Sequence, residues 1–325
     1  MYTFEKVISE LLKHDDAAVQ SYFSCYQNSL GKSIKIIKKK IWIKKFQEFA
    51  KNFWRSLEKQ PYTKSDDIYF IERDNESYGL WKHRLHTGGF FYMQEVAASL
   101  PVQMIDIRPG DIVLDMCAAP WGKSVQLHDK GAFVISNEVS GSRIVSLQHN
   151  LNRTWCIASC VSSLQWGNRG NISHELFNHV LVDAPCSWEW TGFKSDDGLK
   201  RWREDNIRKI ARLQKELLLS AIKACKVWWT VIYSTCTINP RENELVVADA
   251  LEKYWEYIAL ENVEIENKSP WIQSREEKEI ISLNNANKLA RFWPHIQKTW
   301  WFFIAKFVKT NPYPQHPLKK LNSWS

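Results

Sequence analysis

The sequence predicts a doubly wound α/β domain preceded by a small α+β lobe, and three observations predict it. From Gly88 onward, strand-like apolar runs alternate with stretches of helical period, as in a parallel sheet covered on both faces. The stretch DMCAAPWGKS, at 115–124, reads as a buried strand, a small-residue loop and a helix, which is where an open α/β sheet binds a ligand. Acidic residues close consecutive strands at Asp115, Glu138 and Asp183. The expected organisation is an N-terminal α+β lobe over 1–80 that binds RNA, the α/β domain over 81–309 and a tail over 310–325.

In chain order, Phe4, Val7, Ile8, Leu11 and Leu12 recur at helical spacing, so the first dozen residues form an amphipathic helix. The run KSIKIIKKKIWIKK at 32–45 carries seven lysines and no acid, with isoleucines alternating at Ile34 and Ile36 and again at Ile41 and Ile43. It has two readings: an edge strand whose lysines deter aggregation, or a surface that tracks phosphates. Phe46, Phe49, Ala50 and Phe53 mark a second helix, and IYFIERD at 68–74 another strand. Residues 90–105 lead by a helix into the first strand of the large sheet, where Val113, Leu114 and Met116 give the apolar run of a strand buried on both faces. FVISNE at 133–138 is the next strand, followed by a helix over 140–153 with Ile144, Leu147 and Leu151 on one face. HVLVDAP at 179–185 and TVIYST at 230–235 are strands separated by a long helix that carries Ile207, Ile210, Ala211, Leu217, Leu218, Ala221 and Ile222. A helix over 241–254 and a closing strand over 300–307 complete the domain, and the Pro- and Lys-bearing tail is expected to be poorly ordered.

Composition narrows the function classes. The net charge of +8 is concentrated rather than spread evenly, which favours a polyanionic partner, nucleic acid first. No apolar run is long enough to span a bilayer, and MYTFEKVISE lacks the basic start and apolar core of a signal peptide. Seven cysteines without a CxxC pair argue against a disulfide framework and against zinc. The expectation is therefore a cytoplasmic protein without membrane or metal, with a monomer as the default.

Candidate chemistry gathers at the carboxyl ends of the strands. Cys117, Ala118, Ala119 and Pro120 let the backbone approach a ligand, and Gly122, Lys123 and Ser124 lead into a helix whose N-terminus carries partial positive charge. Glu138 stands where it can accept hydrogen bonds from ribose hydroxyls, although a strand-end carboxylate alone also serves as a loop cap. Cys186 in DAPCS and Cys236 in YSTCT each follow a strand that ends at the same crevice. A buried cysteine is more often packing than chemistry. Two of them, with Asp183, Lys123, Ser187, Thr235 and Thr237 nearby, favour chemistry.

The runs DMCAAPWGKS, NEVSGSRIVSLQHNLNR, DAPCSWEWTGF, YSTCTINPRENE and RFWPHIQKTWWFFIAKF, in that order between residues 78 and 309, resemble the motifs of the Sun-type (NSUN-like) RNA cytosine-5 methyltransferases. FIERDN and GFFYMQEVAAS resemble the small lobe and junction of the bacterial ribosomal-RNA branch. The resemblance implies a Rossmann-like methyltransferase sheet, S-adenosyl-L-methionine as cofactor and ribosomal RNA as substrate, with transfer RNA the alternative. The extra N-terminal and C-terminal RNA-binding domains of some relatives are expected to be absent. By resemblance Cys236 is the thiolate that attacks carbon-6 of cytosine, Asp183 hydrogen-bonds the pyrimidine edge, and Cys186 serves release of the product. DNA cytosine-5 enzymes attack from a Pro-Cys motif, so Cys186 is the rival nucleophile. Lys123 either lowers a thiol pKa or orients Asp183. The cofactor is expected along Cys117, Ala118, Ala119, Pro120, Trp121, Gly122 and Lys123, with Glu138 on its ribose and Asp183 near its methyl group. Arg143 is expected to support that loop or an RNA phosphate.

Two departures stand out. No Asp or Glu occurs in CVSSLQWGN at 160–168, where relatives carry an acid near the adenine. Tryptophan also stands at Trp121, Trp188, Trp190, Trp228, Trp229, Trp300 and Trp301, where the family has glycine, and the chain holds 17 Trp but only 12 Gly. Average usage is about 7% glycine. This pattern points to a gene whose UGA codons specify glycine and are rendered here as tryptophan. If the tryptophans are real, the cofactor loop and the turn after Cys186 are obstructed, and the alternative is a non-catalytic RNA-binding protein on the same scaffold.

Overall fold

The computed structural model describes residues 4–27, 32–52, 56–59, 62–72, 79–119, 122–157, 159–166, 174–187, 203–266, 268–269, 274–275, 278–279, 285 and 287–314. Pro120, Trp121, Trp188, Trp190 and most of the tail lie outside these residues.

The large sheet contains β5 (Ile112–Asp115), β6 (Phe133–Asn137), β7 (Ser159–Ser162), β8 (Phe177–Asp183), β9 (Cys225–Thr235), β10 (Ile258–Glu261), β13 (Ala290–Phe292) and β14 (Phe302–Lys309). Their order is β10-β14-β9-β8-β5-β6-β7, with β13 paired to β14. The five strands from β7 to β9 run parallel, while β14 is antiparallel to β9 and β10 antiparallel to β14. Strand order reverses around β5, so a crevice opens beyond the carboxyl ends of β5 and β8. The alternation of side chains builds two cores. Leu114, Val180, Val182, Val231, Tyr233, Phe303 and Ala305 face the helices Glu204–Ala224 and Glu244–Tyr254. Val113, Leu181, Ile232 and Ile304 face the helix Val96–Gln103 on the other side. This is the doubly wound Rossmann-like fold the sequence predicts. Among the described residues no helix is long and apolar enough to cross a membrane.

A second sheet, in the order β2-β3-β1-β4, holds β1 (Lys32–Ile36), β2 (Ser56–Glu58), β3 (Ile68–Glu72) and β4 (Phe91–Met93). Its fourth strand comes from beyond residue 80. Ser274–Arg275 and Lys278–Glu279 form a separate two-stranded ribbon, β11 and β12.

The lysine-rich segment is not an edge strand, and its lysines divide: Lys35 is buried, whereas Lys38, Lys39, Lys44 and Lys45 stay exposed. β1 lies between β3 and β4. Ile34 and Ile36 enter the small core beneath the helix Ile43–Ala50, where they meet Phe46, Tyr69, Ile71 and Phe91. The opposite face of the segment docks on the α/β domain. Lys35 is buried between Asp67 and Asp129, Lys39 donates to the carbonyl of His128, and Lys40 donates to the carbonyls of Gly88 and Arg153. Lys35 is held inside because neighbouring carboxylates supply the acceptors that water would otherwise provide, while Lys39 and Lys40 reach inward acceptors from the rim.

The first helix, Phe4–Leu11, and the next, Asp16–Gln27, pack away from this sheet. Phe4, Ile8 and Tyr22 meet Ile238, Trp293 and Trp301, beside the segment that follows Cys236.

Candidate active site

Three strand ends bring the predicted residues together. Asp115 ends β5, Asp183 ends β8, and Cys236 follows β9 directly. Lys123, at the start of the helix Lys123–Asp129, is buried, and its Nζ lies 2.6 Å from Asp183 Oδ2. Ser234 donates to the other carboxylate oxygen, Oδ1, at 2.8 Å. Asp183 is thus oriented from both sides, and of the two roles left open for Lys123 the geometry supports orientation. The Cys186 and Cys236 sulfurs are 2.7 Å apart, so the two strand-end thiols share one point in the crevice.

Two cavities meet there. One, of about 280 Å³, is lined by Met116, Cys117, Ala119, Asn137, Glu138, Arg143, Leu164, Gln165, Trp166, Leu217 and both thiols. The other, also about 280 Å³, opens toward the small lobe and is lined by Tyr92, Gln94, Glu95, Gly122, Lys123, Trp300, Trp301 and Phe302. Asp183 and Cys236 line both. Gly122 packs against the Tyr92 ring so closely that an added Cβ would lie 2.5 Å from it, so the backbone, not a side chain, occupies that corner.

The first cavity has the chemistry of a nucleoside site. The buried Glu138 carboxylate is held by the Ser140 amide and by Arg143, each at 2.8 Å, so Arg143 supports the acid. Asn137 fixes the far wall by accepting from the Leu164 amide and from the Ser162 hydroxyl. From the described part of 160–168, where no acid occurs, Leu164, Gln165 and Trp166 line this cavity. Asp115 is fully buried and accepts from Ser124, which in turn accepts from Ser136. Burial pushes the Asp115 carboxyl up to about 7, with nearby Asp183 adding to the effect. Burial raises the Cys117 thiol strongly, and Asp115, Asp183 and Glu138 raise it further, so Cys117 is a wall and not a nucleophile. In the second cavity burial lifts Glu95 to about 7, and its Oε2 accepts from Thr299.

Comparison of the whole chain with known proteins gives its family. The family model for the 16S rRNA methyltransferases RsmB/F matches residues 102–308. The chain belongs to this family. It is 31% identical over 312 residues to ribosomal RNA small subunit methyltransferase F of Vibrio cholerae serotype O1 (strain M66-2), covering 94% of this chain and 63% of that protein. It is 32% identical over 308 residues to the protein of the same description from Escherichia coli (strain K12 / MC4100 / BW2952), covering 92% and 61%. The chain therefore spans less than two thirds of the length of these RsmB/F relatives. Among solved structures, NSun6 from Pyrococcus horikoshii with SFG superposes with a TM-score of 0.78 at 19% identity, over 96% of this chain and 98% of that one. A methyltransferase homolog from the same organism gives 0.76 at 23%, over 91% of each chain. These two likenesses carry the fold.

The tryptophans expected to stand in place of glycines fall into distinct settings. Trp228 is 73% exposed with φ of +70°, a left-handed backbone that tryptophan rarely adopts. It lies where β8–β9 pairing jumps from Phe177–Cys225 to His179–Thr230. Trp229 packs edge-on to His179, and Trp300 lines the second cavity. Trp301 is buried, and its Nε1 donates to the Cys236 carbonyl at 2.6 Å. The obstruction expected from Trp121, Trp188 and Trp190 falls outside the described residues. Trp155, which sequence reading passed over, has φ of +60° after the helix Gly141–Arg153.

Sequence reading also passed over Gln214 and Glu242. Gln214 had a signal: it is a polar residue on the apolar face marked by Ile207, Ala211, Leu217, Leu218 and Ala221.

Proposed function

We propose that this chain is an RNA cytosine-5 methyltransferase that uses S-adenosyl-L-methionine and acts on small-subunit ribosomal RNA. The observation that carries the reading is that Asp183 and Cys236 line both cavities, since group transfer needs two substrates to meet at one set of reacting residues. Membership of the RsmB/F family and the names of the relatives support the substrate. The first cavity fits the cofactor by its donor set: a buried carboxylate, Glu138, for a ribose diol, and Met116, Leu164 and Leu217 for a flat apolar ring. When bound, the cofactor supplies an electrophilic methyl group on a sulfonium.

The chain's own residues account for the remaining chemistry. Carbon-5 of cytosine is a poor nucleophile, so the Cys236 thiolate first adds to carbon-6. That step forms a sulfur–carbon bond and opens the 5,6 double bond to an enamine. Asp183, held by Lys123 and Ser234, hydrogen-bonds the pyrimidine edge as charge develops on the ring. After methylation the carbon-5 proton passes to Cys186, its bonding electrons re-form the 5,6 double bond, and Cys236 is expelled as thiolate. Cys186, in contact with Cys236, serves this release. The base must be unpaired or flipped to reach the second cavity.

The test is methyl transfer to small-subunit ribosomal RNA with wild type, made with glycine at the seven tryptophan positions, and two variants of it. Wild type is expected to methylate cytosine, Cys236→Ala to form neither adduct nor product, and Cys186→Ala to accumulate a covalent protein–RNA adduct. The opposite pattern reverses the thiols. Failure of the wild type on both ribosomal and transfer RNA favours the non-catalytic scaffold.

A further inference from the structure

Both peptide groups that flank Cys186 are bound by one buried pair of side chains. Gln214 projects from the buried face of the helix Glu204–Ala224 and has no exposed surface. Its Nε2 donates to the Pro185 carbonyl at 2.8 Å and to Glu242 Oε2 at 3.0 Å. The same Glu242 oxygen accepts the Ser187 amide at 2.9 Å. The carbonyl before Cys186 and the amide after it are therefore tied to a single Gln–Glu unit.

Glu242 belongs to the other thiol's segment. It follows Cys236 in the same loop, and its carbonyl accepts from the hydroxyl of Tyr233, on the strand that delivers Cys236, at 2.5 Å. Asn243 ties that loop further by donating to the Thr237 carbonyl at 2.8 Å and accepting from Thr235. Glu242 is also fully buried, and one of its oxygens accepts the Ser187 amide and the Gln214 side-chain donor at once.

We propose that Gln214 and Glu242 are positioning residues for Cys186, a clamp that fixes the DAPC loop against the Cys236 segment so that the release thiol meets the adduct. The proposal rests on the reading above, in which Cys186 serves release. Neither residue touches the reacting atoms. Both act by setting the spacing of the two sulfurs.

The test uses Gln214→Met, which keeps side-chain volume and helix propensity but removes both donors, and Glu242→Gln, which keeps an acceptor for the Ser187 amide. Adduct formation and release on small-subunit ribosomal RNA are followed on denaturing gels, with melting temperature as the check on folding. Gln214→Met is expected to form the adduct at the wild-type rate and to release it about tenfold more slowly, so that the covalent fraction rises several-fold. Glu242→Gln is expected to show a smaller rise. In a Cys186→Ala background, Gln214→Met is expected to add nothing. The clamp is overturned if Cys186→Ala accumulates adduct while Gln214→Met and Glu242→Gln do not, or if the Gln214 and Cys186 effects add. Absence of adduct in Cys186→Ala itself overturns the release role, and the clamp with it.

Discussion

Replacing Lys35 by methionine is expected to loosen the small lobe from the α/β domain. The Lys35 ammonium lies 2.7 Å from Asp67 and 2.8 Å from Asp129, and the three side chains are 3–5% exposed. Methionine fills the volume of the stem but leaves two buried carboxylates without their shared cation. Asp67 keeps the Ser65 hydroxyl and the half-exposed Lys38, at 3.5 Å. Removing one partner of a buried pair costs about 3–5 kcal/mol. For a chain of this size that corresponds to a fall in melting temperature of roughly 5–10 °C. The pH dependence gives a second handle. Burial raises the Asp67 carboxyl, but Lys35 outweighs it and holds the group below its ordinary value. A depressed carboxyl contributes stability that is present above the unfolded value near 4 and lost as pH falls through the folded one. The cost of Lys35→Met is therefore expected to be largest at pH 7 and to shrink below pH 4. Urea unfolding at both pH values measures it, and the triple variant with Asp67→Asn and Asp129→Asn is expected to recover more than half the loss. A Lys35→Met protein as stable as wild type at pH 7, or equally destabilised at both pH values, would refute the reasoning.

Three further outcomes are expected. The native state holds the Asp115 proton up to about pH 7 while the unfolded chain releases it near 4. Stability is thus lost as pH rises through that window, on the order of 4 kcal/mol in all. Asp115→Asn is expected to remove this loss, and an unfolding difference from wild type that is flat in pH counts against it. Trp228→Gly is expected to stabilise the chain by about 1 kcal/mol, because it relieves a left-handed backbone and gives up an exposed side chain. The proteolytic peptide ending at Lys123, from protein made by its own cells, is expected to carry glycine at position 121. Tryptophan there ends the codon reading.

The sequence by itself determined much of the alternation of strands and helices, because apolar spacing reports which face of each element is buried, although the helix Asp16–Gln27 and the strands Ser159–Ser162 and Ile258–Glu261 went unread. The alternation that splits Val113 from Leu114 and Val231 from Ile232 between two cores was legible in the run of residues. So were the strand-end positions of Asp115, Glu138, Asp183, Cys186 and Cys236, since a parallel strand delivers its carboxyl end to one edge of the sheet. Only the tertiary structure decided what each polar group meets. The same lysines read from sequence as an edge or a phosphate surface because charge alone does not say which acceptors lie opposite. Asp129, His128 and Arg153, distant in the chain, engage Lys35, Lys39 and Lys40, while Lys38, Lys44 and Lys45 stay exposed. Likewise Lys123 could have served a thiol or an acid until the fold set its ammonium against Asp183. The clamp of Gln214 and Glu242 joins a helix to a loop 28 residues further on. Its geometry exists only once both have packed against β8 and β9, because a hydrogen bond between distant residues is fixed by the packing that brings them together and not by their spacing in the chain.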